Sequence, residues 1–320
     1  MRRALQVVSV VCSWLVAFVA TGQCRWEAAS ASLHFSDALW TGSRFVGLGS
    51  DANCPFVALS ATGIDWTVTT RYSAMQRGLL AWDGHELLGI LAPKAWASPD
   101  AVIWTEFTTN LGVVQPTFLT WAGDRFFAYR PPVFWGAGSF LMSADGAQWS
   151  MVHALLAEVR AVTHTGSQYV AVGGPGPYVG TSPDGISWTA QELPASVGAY
   201  PYLNDVKWNG RLLVAAGKDG LIATSDNGTT WNSQDSGVSV SLYSVAVTPD
   251  GFVCGGENGT LLTSQYGVTW RPEPTPTKAV IVHLVAGGYR TLAIDGNSRL
   301  FVRSCEPLRR IRRHLSRLPE

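Results

Sequence analysis

A set of evenly spaced tryptophans, each preceded at fixed distances by a serine and a glycine, limits what this chain can fold into. Ser143, Gly146 and Trp149 stand at the same intervals as Ser182, Gly185 and Trp188, and as Ser225, Gly228 and Trp231. Ser60, Gly63 and Trp66 repeat the pattern, as do Ser264, Gly267 and Trp270, while Ser98 and Trp104 keep it with Ala101 in the glycine place. With Trp26 added, the tryptophans fall at 26, 66, 104, 149, 188, 231 and 270, spaced 40, 38, 45, 39, 43 and 39 residues apart. Self-similarity at about 40 residues is the mark of a repeated supersecondary unit that buries its apolar face against its neighbours.

A second marker runs in phase with the first. Gly42, Gly84, Gly123, Gly166, Gly210, Gly251 and Gly288 each separate two apolar stretches, as before Gln168-Tyr169-Val170-Ala171-Val172, and each opens a hairpin. Strand length and turn spacing then leave room for four short strands per repeat and for no helix, which predicts an all-β, seven-bladed β-propeller with four-stranded antiparallel blades. The composition agrees, since 33 Gly and 17 Pro supply turns while 14 Trp and 12 Phe supply large rings for pleated surfaces.

The two ends of the chain complete the count. Ser304 occupies the serine place of the seventh repeat, but no tryptophan follows it; the missing one is Trp26. The segment Arg25 to Ala28 therefore supplies the outermost strand of the last blade, closing the ring without an open edge. Cys24 and Cys305 flank the break, which predicts a disulfide worth roughly 4–5 kcal/mol at most by loop entropy, the alternative being two free thiols. Cys54 and Cys254 read as unpaired and largely buried.

Ahead of this body, Met1-Arg2-Arg3 precedes an apolar run from Ala4 to Ala20, with small residues at Ala20 and Gly22. That order predicts a signal peptide over residues 1–22, cleaved after Gly22, with an uncleaved anchor as the alternative. The mature protein is then exported, periplasmic or extracellular, with a single propeller over 23–307 and a tail over 308–320. The zero net charge hides an asymmetry: residues 23–307 hold 16 Lys and Arg against 22 Asp and Glu, a balance of −6, and the tail holds five Arg and one Glu. An acidic body argues against nucleic acid as a partner, because phosphate neutralisation needs a dense basic surface. The tail places Leu308, Ile311, Leu315 and Leu318 at helical steps among arginines. It reads as an amphipathic helix for an anionic membrane surface or a partner's groove, or else as a frayed end or a helix docked on the acidic body.

Thr224, Asp226, Gly228, Thr230 and Trp231 fit the Asp-box pattern [ST]-x-D-x-G-x-[ST]-[WF]. The chain thereby resembles the Asp-box (BNR-type) β-propeller superfamily, whose members include sialidases, polysaccharide hydrolases, sortilin-type receptors and the photosystem II assembly or stability factor propellers. Seven short blades covering nearly the whole mature chain most resemble the last group and its bacterial relatives. The motif is a turn, so the resemblance implies that Asp145, Asp184 and Asp226 accept backbone N–H bonds and that Trp149, Trp188 and Trp231 pack between sheets. Sialidases carry an early Arg-Ile-Pro motif and an arginine triad on a six-bladed ring; this chain has no such early motif and seven repeats.

Nor is there a complete signature for metal, thiol, serine or nucleotide chemistry, and His34, His85, His153, His164 and His283 are scattered. No catalytic residue, cofactor or metal ligand is expected. In a propeller the a–b hairpins and the Asp-box turns share one face, so the b–c and d–a loops crowd the other. There the chain places Arg71, Tyr72 and Arg77 after blade one, Lys94 and Trp96 in blade two, Arg130, Phe134 and Trp135 in a long insertion of blade three, and Tyr200 and Tyr202 after blade four. Arg, Tyr and Trp anchor protein interfaces and also stack on sugars. These residues predict an exported, monomeric, non-catalytic binding or assembly scaffold for a protein partner; the alternative is a carbohydrate-active enzyme or glycan-binding module using the same aromatic loops.

Overall fold

The computed structural model describes residues 24–29, 32–51, 54–72, 78–132, 138–152, 158–174, 179–191, 193 and 202–305. Residues 1–22, expected to be a signal peptide, and the basic tail (308–320) lie outside the described residues. Arg25–Ser304 forms one compact unit. Among the described residues it runs through β1 to β28 in chain order, paired as seven antiparallel four-stranded sheets. Blades one to six take four consecutive strands each, over residues 34–71, 79–108, 118–152, 159–191, 203–234 and 242–272. Blade seven is built from both ends: β26 (Ile281–Gly287), β27 (Arg290–Asp295) and β28 (Leu300–Cys305) are completed by β1 (Cys24–Ala28). The protein is a seven-bladed β-propeller.

The first strand of every blade packs on the first strands of both neighbours, round a closed circuit that includes blade seven against blade one. The apolar interior is divided accordingly into seven clusters, one per seam between adjacent blades. At the closing seam Phe35, Phe45 and Phe56 of blade one pack on Leu292, Ile294 and Val302 of blade seven. The hairpin glycines all adopt left-handed backbone, from φ 57° at Gly288 to 125° at Gly251, a region that disfavours any side chain. Cys24 and Cys305 belong to the second unit and are joined by a disulfide, with 4.1 Å between their Cα atoms.

Blade seven is locked by an inter-blade knot rather than by the common turn. Trp26 Nε1 donates to Glu273 Oε2 at 2.8 Å, and Arg303 Nε donates to the same oxygen at 2.9 Å. Glu273 follows the outer strand of blade six, so one carboxylate ties blades six and seven to the N-terminal strand. Ala29 N adds a backbone bond to Leu300 O at 2.9 Å.

In blade three, Ser143 Oγ accepts from Gly146 N at 2.9 Å, Asp145 Oδ1 accepts from Ala147 N and Gln148 N, and Trp149 Nε1 donates to Gly146 O at 2.8 Å. Blade four repeats each bond with Ser182, Asp184, Gly185 and Trp188. In blade five the structure corrects the expectation for Asp226. That side chain is exposed, and Asn227 Oδ1 accepts the two amides, from Thr229 N and Thr230 N at 2.9 and 2.8 Å. The working carboxylate or amide sits four residues before the tryptophan, not five. Asp226 fits the linear pattern, but the turn points the next residue inward at the amides.

Blade two departs from the others. Ala101 takes the left-handed glycine place at φ 63°, and its carbonyl accepts from Thr69 Oγ1 at 2.7 Å. Trp104 Nε1, whose counterparts in blades one and three to six donate to that carbonyl, is buried without a hydrogen-bond partner among the described residues. A further correction concerns the free cysteines: Cys254 is buried as expected, with its thiol pKa pushed up by burial, but Cys54 is only half-buried.

Candidate functional site

Five first strands carry the same irregularity. Their pairing with the second strand slips by one residue between Phe35 and Asp37, Val159 and Ala161, Leu203 and Asp205, Leu242 and Ser244, and Ile281 and His283. A bulge of this kind re-aims one side chain. The re-aimed residues are Ser36, Arg160, Asn204, Tyr243 and Val282, near the strand ends that meet the b–c and d–a loops. The residues just after the bulges bond across the seams. Asp205 Oδ2 accepts from Val245 N at 2.8 Å and from Ser244 Oγ at 3.2 Å, Ser244 Oγ accepts from Leu284 N at 3.0 Å, and Asp37 Oδ2 accepts from Leu80 N at 2.9 Å. His283 Nε2 lies 3.2 Å from Ala38 O across the closing seam. This inner belt holds neighbouring blades in register.

On the belt, blades four, five and six assemble a cluster of charged and aromatic residues. Arg160 Nε donates to Glu158 Oε1 at 3.2 Å and Nη1 to Asn204 Oδ1 at 2.7 Å, and the guanidinium lies 4.5 Å from the centre of the Tyr202 ring. The Tyr202 hydroxyl donates to Glu158 Oε2 at 2.7 Å, and Asn204 Nδ2 donates to Leu242 O at 2.7 Å. Gly174 lets the Tyr202 ring sit where a Cβ would be only 2.9 Å away. In blade six the Tyr243 hydroxyl donates to Glu257 Oε1 at 3.1 Å and Ser241 N donates to Glu257 Oε2 at 3.3 Å.

Burial first, and then the neighbouring glutamates, hold the hydroxyls of Tyr202 and Tyr243 above the ordinary phenol value, so both act as donors. Burial first, and then the charges of Glu158 and Tyr202, raise the pKa of Tyr129 in blade three. Glu257 is presented by a single 3-10 turn, Glu257–Gly259, that matches Lys218–Gly220 in blade five, with Asn258 and Asp219 at φ 55° and 56°. The arrangement offers charge, hydrogen bonds and aromatic faces for recognition.

The residues singled out from sequence distribute differently. Arg71 Nη1 pairs with Asp51 Oδ2 at 2.7 Å, and Lys94 Nζ with Glu106 Oε1 at 2.7 Å. Tyr72 packs into the seam between blades one and two, its ring centre 6.2 Å from that of Trp96; its buried hydroxyl has no hydrogen-bond partner among the described residues, and burial raises its pKa. Arg130 Nη1 donates to Leu111 O at 2.8 Å and Nη2 to Ser139 Oγ at 3.3 Å. The structure thus brings Tyr72 together with Trp96, and it joins Tyr202 to the Arg160 cluster. Arg77, Phe134, Trp135 and Tyr200 lie outside the described residues. Sequence reasoning missed Glu158, Arg160, Asn204, Tyr243 and Glu257. Their signal was the phase of Glu158-x-Arg160, Tyr202-x-Asn204 and Ser241-x-Tyr243, each at the start of a first strand.

No protein-family model and no curated protein sequence matches the chain. Solved structures match it at the level of fold. YCF48 bound to a D1 peptide is 16% identical, with 89% of this chain and 96% of that one covered and a TM-score of 0.65. The WD40 propeller domain of Doa1 is 14% identical over 91% and 99% of the two chains, with a TM-score of 0.66. A catalytically inactive virginiamycin B lyase from Staphylococcus aureus with quinupristin is 10% identical over 89% and 99%, with a TM-score of 0.67. The same fold therefore serves peptide binding in one neighbour and a lyase scaffold in another.

Proposed function

We propose that this chain is an exported, non-catalytic propeller of the Asp-box class that binds a protein partner through its b–c/d–a face. In this reading residues 1–22 direct export, 23–307 form the monomeric ring, and 308–320 touch a membrane or the partner. The disulfide is compatible with an oxidising compartment, and among the described residues no helix is long and apolar enough to cross a membrane. One observation carries the reading: three consecutive blades depart from the repeat at the same depth to place Glu158, Arg160, Tyr202, Asn204, Tyr243 and Glu257 together. YCF48, a neighbour in fold, has been solved with a peptide bound, which supports a peptide-binding use of such a ring.

The test is affinity capture from the native envelope with the full chain and two double variants. Arg130→Ala with Tyr202→Ala alters the b–c/d–a face, whereas Tyr266→Ser with Tyr289→Ser alters exposed rings on the opposite face. A protein held by the wild type and the second variant, and lost from the first, supports the reading. Equal retention by all three overturns it, and so does retention of polysaccharide that shortens on incubation, which selects the carbohydrate reading.

A further inference from the structure

The cluster contains two tyrosine–glutamate pairs, and they differ in what faces them. The first, Tyr202 with Glu158, holds a guanidinium: Arg160 donates to the carboxylate and lies over the ring. The second, Tyr243 with Glu257, has the same chemistry, a phenol donating to a carboxylate beside an aromatic face. Among the described residues no Lys or Arg pairs with Glu257. Arg160 acts on Tyr243 through its charge, while its hydrogen bonds go to Glu158 and Asn204 and its guanidinium lies on the Tyr202 ring. Both Tyr243 and Glu257 are half-buried, so they remain reachable from the loop face. Glu257 is also held in place: its amide donates to Ser241 O at 2.9 Å while its carboxylate accepts from Ser241 N and from Tyr243.

We propose that Tyr243 and Glu257 form the receptor for an arginine side chain of the protein partner, copying from outside what Arg160 does from within. The proposal rests on the loop-face reading above. A planar guanidinium can meet a carboxylate and lie over a phenol ring at the same time, which a hydrated ammonium does less well. The two hydrogen bonds that orient Glu257 reduce the ordering cost when the partner docks, and the net acidity of the body draws a cationic segment toward it.

The experiment titrates the full mature chain with Nα-acetylarginine amide, using the isosteric, uncharged Nα-acetylcitrulline amide as control, and follows backbone amide resonances. Saturable shifts centred on residues 241–244 and 257–259 are expected with arginine and not with citrulline. Glu257→Gln should weaken the arginine response by about fivefold and Tyr243→Phe by about twofold, with shifts elsewhere showing that both variants fold. Undiminished binding by Glu257→Gln, equal response to citrulline, or shifts spread over the acidic surface would overturn the proposal. Partner capture separates this failure from the wider one. If Glu257→Gln captures the partner as wild type does while Arg130→Ala with Tyr202→Ala loses it, the arginine receptor falls and the loop-face reading stands. If neither changes capture, both fall.

Discussion

The two ends of the propeller are made by the same hairpins, yet they use their side chains differently. At the end formed by a–b and c–d turns, blades one and three to six repeat one serine–glycine–tryptophan arrangement whose polar groups are consumed inside the turn, and blade two keeps its serine bond with Ala101 in the glycine place. Each turn also leans on the preceding blade, as Gly146 does on Leu88 and Gly267 on Leu212. At the other end the side chains of blades four and five bond to each other across their seam, and Asn204 bonds on to the backbone of blade six. Repetition marks the problem every blade must solve, which is to seal its outer strand against a neighbour. The charged and aromatic cluster gathered by blades four to six at the other end marks what sealing does not require.

The sharpest way to break that contrast is to truncate one residue at each end. Trp231, 2% exposed and bonded to Gly228 O, should cost about 3–5 kcal/mol as Trp231→Ala in equilibrium unfolding. Arg160→Ala, whose side chain is 34% exposed, should cost about 1 kcal/mol or less. Equal losses would show the loop-end cluster to be a structural strut and erase the distinction.

Blade seven tests whether the common turn can be replaced. Its tryptophan donates to Glu273 instead of a glycine carbonyl, and Glu273 also neutralises the buried Arg303. Glu273→Ala leaves that guanidinium unpaired and should cost about 3 kcal/mol. A loss no larger than that of an exposed ion pair would mean that the closing strand is held by the disulfide and backbone bonds alone.

A smaller effect sorts the turn residues themselves. Asn227→Ala should cost about 1 kcal/mol, as loss of a capping acceptor does, while Asp226→Ala should be close to neutral. The acidic turns add a pH signature. Two backbone amides hold the carboxyls of Asp100, Asp145 and Asp184 below the ordinary value of 3.8. A depressed folded-state pKa contributes stability that is present above the unfolded value and lost as pH falls below it. Asn227→Asp should therefore steepen the fall in stability below pH 3.8, whereas Asp145→Asn should flatten it, both read from unfolding midpoints across that window.

The spacing of the tryptophans made the fold legible because a turn that seals a seam needs the same serine, glycine and ring each time. It also made the closure legible, since Ser304 without a tryptophan and Trp26 without a serine are two halves of one unit. A second register was present as well: Trp40, Trp82, Trp121 and Trp208 each stand two residues before a hairpin glycine. In the next strand Trp40 meets Phe45 at a tilt and Trp121 meets Phe126 edge to face, with ring centres 4.6 and 4.7 Å apart. The turn chemistry was less legible, because the linear motif aligns Asp226 while the backbone aims Asn227. The candidate site was barely legible. Exposure of aromatic and basic residues was inferred from loop position, yet Tyr72 turned into a seam and Arg71 and Lys94 found partners on their own blades. What gathers Arg160, Asn204 and Tyr243 is a bulge, and a one-residue slip in pairing leaves no composition signal.

The smallest expected effect is at the turn that breaks the repeat. Ala101 carries a left-handed backbone at a cost of about 1 kcal/mol that glycine would relieve. Its methyl is buried in the seam between blades one and two, and removing it forfeits about 0.8 kcal/mol. Ala101→Gly should therefore lie within about 0.5 kcal/mol of the wild type. The carbonyl at this position is taken by Thr69 Oγ1, so the substitution alone gives Trp104 Nε1 no acceptor. Adding Thr69→Val removes the competitor, and the pair should be more stable than Thr69→Val alone by about 1 kcal/mol if the turn recovers the bond that other blades make. Simple additivity in that cycle would show that blade two keeps its tryptophan by packing alone, and that the shared hydrogen bond is dispensable wherever the ring is well enough buried.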